Sequence, residues 1–164
     1  MPQKVMQRNN LKVIISILLL TAVWGMTSCN RQQTVYSQYE HIDGTAWEKT
    51  DTITFDVPPF KTAGTYHKKL GLRLAEGFPF MTLSIEMELQ VLPKGMIYSS
   101  QHKLSVIDQQ GNPKGKGLSL YQYEFDLGKV ELEEGDSLHI RVAHNMKREI
   151  LPGVMDIGIF IVKN

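Results

Sequence analysis

Residues 82–91 read TLSIEMELQV, with Leu83, Ile85, Met87, Leu89 and Val91 alternating with Ser84, Glu86, Glu88 and Gln90. Successive side chains of an extended chain point to opposite faces, so as a strand this stretch sorts into one apolar and one polar side. Wound as a helix, it would scatter both kinds around the axis. It is therefore read as a strand buried on one face. Weaker runs of the same period recur at residues 51–57 (DTITFDV), 66–75 (YHKKLGLRLA), 98–108 (YSSQHKLSVID), 120–127 (LYQYEFDL), 137–146 (SLHIRVAHNM) and 156–163 (DIGIFIVK). Past residue 35 no stretch keeps a helical period beyond about two turns.

Turn chemistry separates the runs. Pro58-Pro59 cannot continue a central ladder, and Pro93-Lys94-Gly95, Gln110-Gly111-Asn112-Pro113 and Glu134-Gly135-Asp136 join fixed and free φ angles in the order turns need. About seven or eight strands with no crossover helices must pair antiparallel. The expected fold is all-β: an antiparallel two-layer β-sandwich of jelly-roll or Greek-key connection, each sheet burying one face against the other.

The start of the chain is different. Residues 1–12 carry Lys4, Arg8 and Lys12 and no acid, and residues 13–26 (VIISILLLTAVWGM) are almost wholly apolar. Fourteen residues are too few for the ~20 of a membrane-spanning helix and fit a secretory leader. The following Met26-Thr27-Ser28-Cys29 resembles a bacterial lipobox, where a signal peptidase cuts before a diacylated cysteine. Cys29 is the only cysteine, so it has no disulfide partner within the chain, and lipidation accounts for its position. The expected organisation is a leader over residues 1–28, a lipidated polar tether over 29–35 (CNRQQTV) and one domain over 36–164.

Cutting after residue 28 leaves 136 of the 164 residues, enough for one core, and changes 18 basic against 17 acidic side chains to 15 against 17. Scattered over a near-neutral domain, these charges argue against a nucleic-acid partner. The membrane partner is the bilayer, reached through acyl chains on Cys29. Asn30 is not the aspartate that retains lipoproteins in the inner membrane, which points to the outer membrane. NRQQTV lacks the acidic cluster of surface-exported relatives, which favours the periplasmic face.

Catalytic and ligand-binding patterns are weak. The five histidines are dispersed, and His139 and His144, five apart, fall on opposite faces of one strand, so no metal site is expected. GNPKGKG (residues 111–117) lacks the Gly-Lys-Ser/Thr ending and following helix of a phosphate loop and reads as a flexible hairpin loop. Glu86 and Glu88 would stand roughly 6–7 Å apart on one strand face, a glycosidase-like spacing that any solvated strand provides. Tyr121, Tyr123 and Phe125 share a face and could stack a sugar as a glycan platform, although filling the core is the simpler use, as it is for Trp47, Phe78 and Phe80. No catalytic residue and no cofactor is expected.

The segment VAHNMKREILPGVMDIGIFIV (residues 142–162), together with YSQYE and WEKTDTITFDV near the start, GFPFMTLSI (residues 77–85) and the lipobox, resembles the GldH family of gliding-motility lipoproteins. The resemblance spans nearly the whole domain. It implies a non-catalytic envelope lipoprotein whose partners are proteins of a gliding or type IX secretion assembly; the alternative from the fold is a lipid-anchored glycan-binding module. Only Cys29 transfers as a functional residue. Arg148, Pro152, Gly153, Asp156 and Gly158 match the C-terminal pattern and read as structural: a turn, a strand start, an Asp–Arg contact, and a bulge or close backbone approach at Gly158.

Overall fold

The computed structural model describes residues 33–163; the expected leader, Cys29 and the first residues of the tether lie outside the described residues. The strands are β1 (Gln33–His41), β2 (Ala46–Glu48), β3 (Ile53–Val57), β4 (Gly64–Ala75), β5 (Thr82–Leu92), β6 (Met96–Ser105), β7 (Leu120–Leu132), β8 (Ser137–His144), β9 (Ile150–Pro152) and β10 (Val154–Lys163). The only helical element among the described residues is a 3-10 turn at Asp43–Thr45. One sheet runs β1-β10-β4-β7 and the other β3-β8-β5-β6, while β2 and β9 pair separately. Every strand pair is antiparallel. Set β2 and β9 aside, and the eight long strands interleave as two Greek keys, a jelly roll.

All seven predicted runs are strands. In β5 the alternation holds at every step: Leu83, Ile85, Met87, Leu89 and Val91 are at most 1% exposed. They pack with Leu138, Ile140 and Val142 of β8 and with Leu70, Leu72, Leu74, Ile157, Ile159 and Ile161 of the other sheet. Burial of a Leu or Ile side chain is worth about 1.5–3 kcal/mol, so this two-sheet interface supplies the main driving force. Strand β7 continues past the predicted end at Leu127. Between the pairs His67–Lys129 and Lys69–Asp126 it carries an extra residue, and the Gly128 N–H bonds the Asp126 carboxylate at 2.7 Å. That bulge shifts the period by one, so buried Val130 and Leu132 fall out of step with Tyr123 and Leu127.

Strand β1 starts at Gln33, so Gln33 and Thr34 pair with Lys163 and Val162 of β10 and Val35 sits at a bulge, although their composition reads as tether. Polar residues suit this place because β1 is an edge strand, open to water on one side. The short β2 and β9 carry two fully buried side chains, Trp47 and Leu151, which lie opposite each other.

Gly158 is a place of close approach. It faces Tyr39 on β1 and Gly71 on β4, and the Tyr39 ring lies across both glycines. A Cβ on Gly158 would stand 2.6 Å from that ring, and one on Gly71 would stand 2.5 Å from its hydroxyl. Arg73 caps the ring at 4.0 Å from its centre and Phe160 meets it edge-on at 5.4 Å. Burial raises the Tyr39 pKa, with Arg73 pulling the other way. The arginine that meets Asp156 is Arg73, at 3.8 Å, with His41 at 3.0 Å, so this contact is made across the sheet rather than within the C-terminal segment. Gly158→Ala is expected to cost roughly 1–3 kcal/mol by overpacking. In a Tyr39→Ala background the same change should cost only a few tenths. Urea melts of the four proteins check this, and equal costs in both backgrounds would refute the role of the ring.

Candidate functional site

The loops sort into two ends. Gln33 pairs with Lys163, Lys163 with Tyr66, and Gly64 with Leu132. Residues 133–136 then lead straight to Ser137, which pairs with Leu92. The chain start, the β7–β8 turn and the tip of the β5–β6 hairpin thus share one end. The far end gathers residues 76–81, 106–119 and 145–149.

Among the described residues two sizeable concavities lie at or beside the far end, with a smaller one of about 220 Å³ against Phe78, Ile107 and Tyr121. The larger, about 690 Å³, is bordered by Ser105, Lys114, Lys116, Tyr123, Glu124 and Phe125. The loop GNPKGKG forms one wall. It is pinned at several points rather than hanging as a free hairpin. Asp108 accepts bonds from the N–H groups of Gln110 (2.9 Å) and Asn112 (2.8 Å), chiefly the latter holding its carboxyl below the usual range. Lys116 and Gln122 exchange two backbone bonds of 2.9 Å. Lys114 donates to Ser105 Oγ at 2.7 Å. Gly115 rests on the Tyr123 ring so closely that a Cβ there would stand 2.6 Å from it. The loop's contacts are thus spent on covering β7.

The stripe Tyr121, Tyr123 and Phe125 faces inward. Tyr123 is 7% exposed and belongs to the core, with Tyr121 and Phe125 half-buried against it. The Tyr123 and Phe125 rings are parallel within 5° at 6.0 Å and both border the larger concavity. Burial raises the Tyr123 pKa, opposed by a bond from the Gly115 backbone. Trp47 and Phe78 are buried and Phe80 is half-buried against the core.

The second hollow, about 560 Å³, is lined by Phe80, Ser84, Asn145, Met146, Lys147 and Arg148. Here the HNMKR segment leaves β8. Asn145 N–H bonds Ser84 carbonyl at 2.8 Å, and Met146 sulfur accepts the Ser84 N–H at 3.3 Å. An apolar floor of Phe80 and Met146 meets the cations of Lys147 and Arg148. Sequence spacing gave no sign of this hollow, because its two halves are more than sixty residues apart and meet only through the β5–β8 pairing.

The histidines each find a separate partner or environment. His139 meets Asp56 at 2.7 Å, His67 meets Asp126 at 3.3 Å, and His102 meets Ser100 at 2.9 Å. Among the described residues no three His, Cys, Asp or Glu side chains form a metal-binding group. Glu88 pairs with Arg141 at 3.3 Å beside the exposed Glu86. His144 is buried, edge-on to Trp47 at 5.2 Å, with Nε2 unbonded. Burial lowers its pKa from 6.5, opposed by hydrogen bonding of the protonated ring to the Trp47 and Glu149 backbone, with Lys49 adding to the lowering. The unfolded chain therefore takes up this proton first as pH falls. Stability should decline below about pH 6.5 and level off once folded His144 protonates. Urea midpoints against pH, read by Trp47 fluorescence, check this; His144→Gln should flatten the decline.

The sequence profile of the GldH lipoprotein family matches residues 34–161. The gliding motility lipoprotein GldH of Flavobacterium johnsoniae is 26% identical over 155 residues, covering 88% of this chain and 93% of that protein. Among solved structures, a family 35 carbohydrate binding module from Clostridium thermocellum superposes at a TM-score of 0.42 and 17% identity, over 77% of this chain and 89% of that one. The Cry4Aa toxin from Bacillus thuringiensis gives 0.44 and 10%, over 81% and 23%. Neither overlap bears on what this chain binds.

Proposed function

Because the chain belongs to the GldH lipoprotein family, we propose that it is a non-catalytic component of the gliding-motility and type IX secretion-associated envelope machinery. It is held in the outer membrane by acyl chains on Cys29 and faces the periplasm. The family match over residues 34–161 carries this reading. The bilayer is its first partner and other envelope proteins are the second. These proteins dock at the end away from the anchor, where the loop 106–119 groove and the Phe80/Met146 hollow with Lys147 and Arg148 lie. Tyr123 lies in the core on the inner face of β7, which weighs against the glycan alternative.

Crosslinking in intact cells followed by affinity purification tests the reading. Stable envelope-protein partners, lost or weakened in a Lys147→Glu/Arg148→Glu variant, are expected. Recovery of the protein without partners, together with retention on glycan arrays, would overturn it.

A further inference from the structure

We infer that the tip of the β5–β6 hairpin is a second membrane contact, resting in the phospholipid headgroup and upper acyl region beside the lipid anchor. This deepens the proposed acylation of Cys29 and rests on it.

The tip gathers four large apolar side chains within seven residues, Leu92, Met96, Ile97 and Tyr98, which are 38%, 40%, 57% and 49% exposed. They are not one-sided. Met96 and Tyr98 pair with the inward-facing Val91 and Leu89, whereas Ile97 pairs with Gln90 on the outer face. A protein partner lying on one sheet face would meet only half of them. Lipid, apolar in every direction around an inserted wedge, meets both. Residues 91–102 contain no acid, and Tyr98 has the amphipathic ring favoured at a membrane boundary.

Position selects the same occupant. The hairpin tip lies at the end where β1 begins. Only three residues lie between Cys29 and Gln33, so the four steps reach at most about 14 Å even when fully extended. That is less than half the roughly 33 Å length of a ten-residue strand such as β6, so an acylated Cys29 keeps this end, and not the far one, against the bilayer.

The tip is also braced, which limits the entropy lost when it inserts. Lys94 at its apex bonds Asp136 at 2.9 Å and Glu133 at 3.0 Å, tying the hairpin to the β7–β8 turn. The Gly95 N–H closes the turn on the Val91 carbonyl at 2.8 Å.

The lone cysteine makes the test direct: once Cys29 is acylated, an introduced cysteine is the only free thiol. Acylated chains carrying Ile97→Cys or Leu118→Cys, the latter 89% exposed at the far end, are labelled with a polarity-sensitive fluorophore. They are then placed in phosphatidylethanolamine–phosphatidylglycerol vesicles. A blue shift and severalfold stronger quenching by nitroxide lipids at position 97 than at 118 are expected. Equal, water-like signals at the two positions, in protein that floats with the vesicles, would overturn the inference. A parallel pair with Cys29→Ser and a short polyhistidine segment on chelating lipids separates the two readings. A position-97 shift there supports the tip contact even if flotation of the natural chain shows that acylation fails. Its absence in both preparations refutes the tip contact whatever holds the chain to the membrane.

Discussion

A chain carrying Cys29→Ala, with residues 1–28 exchanged for a leader cut without lipidation, is expected to move from the membrane pellet to the soluble periplasmic fraction. The exchange matters because an uncut apolar leader could itself hold the protein to the membrane. Each acyl methylene withdrawn from the bilayer forfeits about 0.8 kcal/mol. Losing several chains therefore collapses the partition by many orders of magnitude. What remains is the weak affinity of the Leu92/Met96/Ile97 tip, visible only at high vesicle concentration. Unchanged sedimentation with membranes would refute the anchor.

The largest folding effect is expected at Trp47. Its side chain is fully buried, its indole N–H bonds the Asp51 carbonyl at 3.1 Å, and its ring fills the space between Leu151 of β9 and His144 of β8. Trp47→Ala removes one of the largest fully buried side chains and should cost about 3–5 kcal/mol, a large part of the 5–15 kcal/mol typical of a domain. On thermal melting this is a drop on the order of 10 °C. Trp47→Phe should recover part of the loss. A change below about 1 kcal/mol for the alanine variant would mean that β2 and β9 close over the gap.

The reading of the fold from sequence succeeded where burial is one-sided. Strand β5 shows the reason: a strand in the middle of a sandwich must bury alternate residues, and its polar face must meet water, so the pattern is written in full. Strand β1 shows the limit. At an edge, with most residues exposed, its Gln33-Thr34 start has nothing to distinguish it from tether. Short β2 and β9 stayed hidden because three residues cannot display a period, and Leu151-Pro152-Gly153 reads as a turn even though Leu151 is core. The aromatic stripe was legible as one strand face, but whether that face meets solvent or the opposite sheet depends on strand order. The hollow beneath Lys147 and Arg148 was not legible, since Phe80 and Met146 become neighbours only through long-range pairing. The hairpin tip lay in plain view as Leu92, Met96 and Ile97; what gave it meaning was its lying at the same end as Gln33.

Strand β10 sits between β1 and β4, so the first and last strands of the domain are hydrogen-bonded neighbours. Residues 33–41 have no ladder partner until residues 156–163 arrive, and β4 lacks one of its two neighbours for as long. Such long-range closure makes assembly slow relative to local turn formation. Strand β10 is thus the latch of this sheet: until it is seated, β1 is unpaired and β4 is held from one side only.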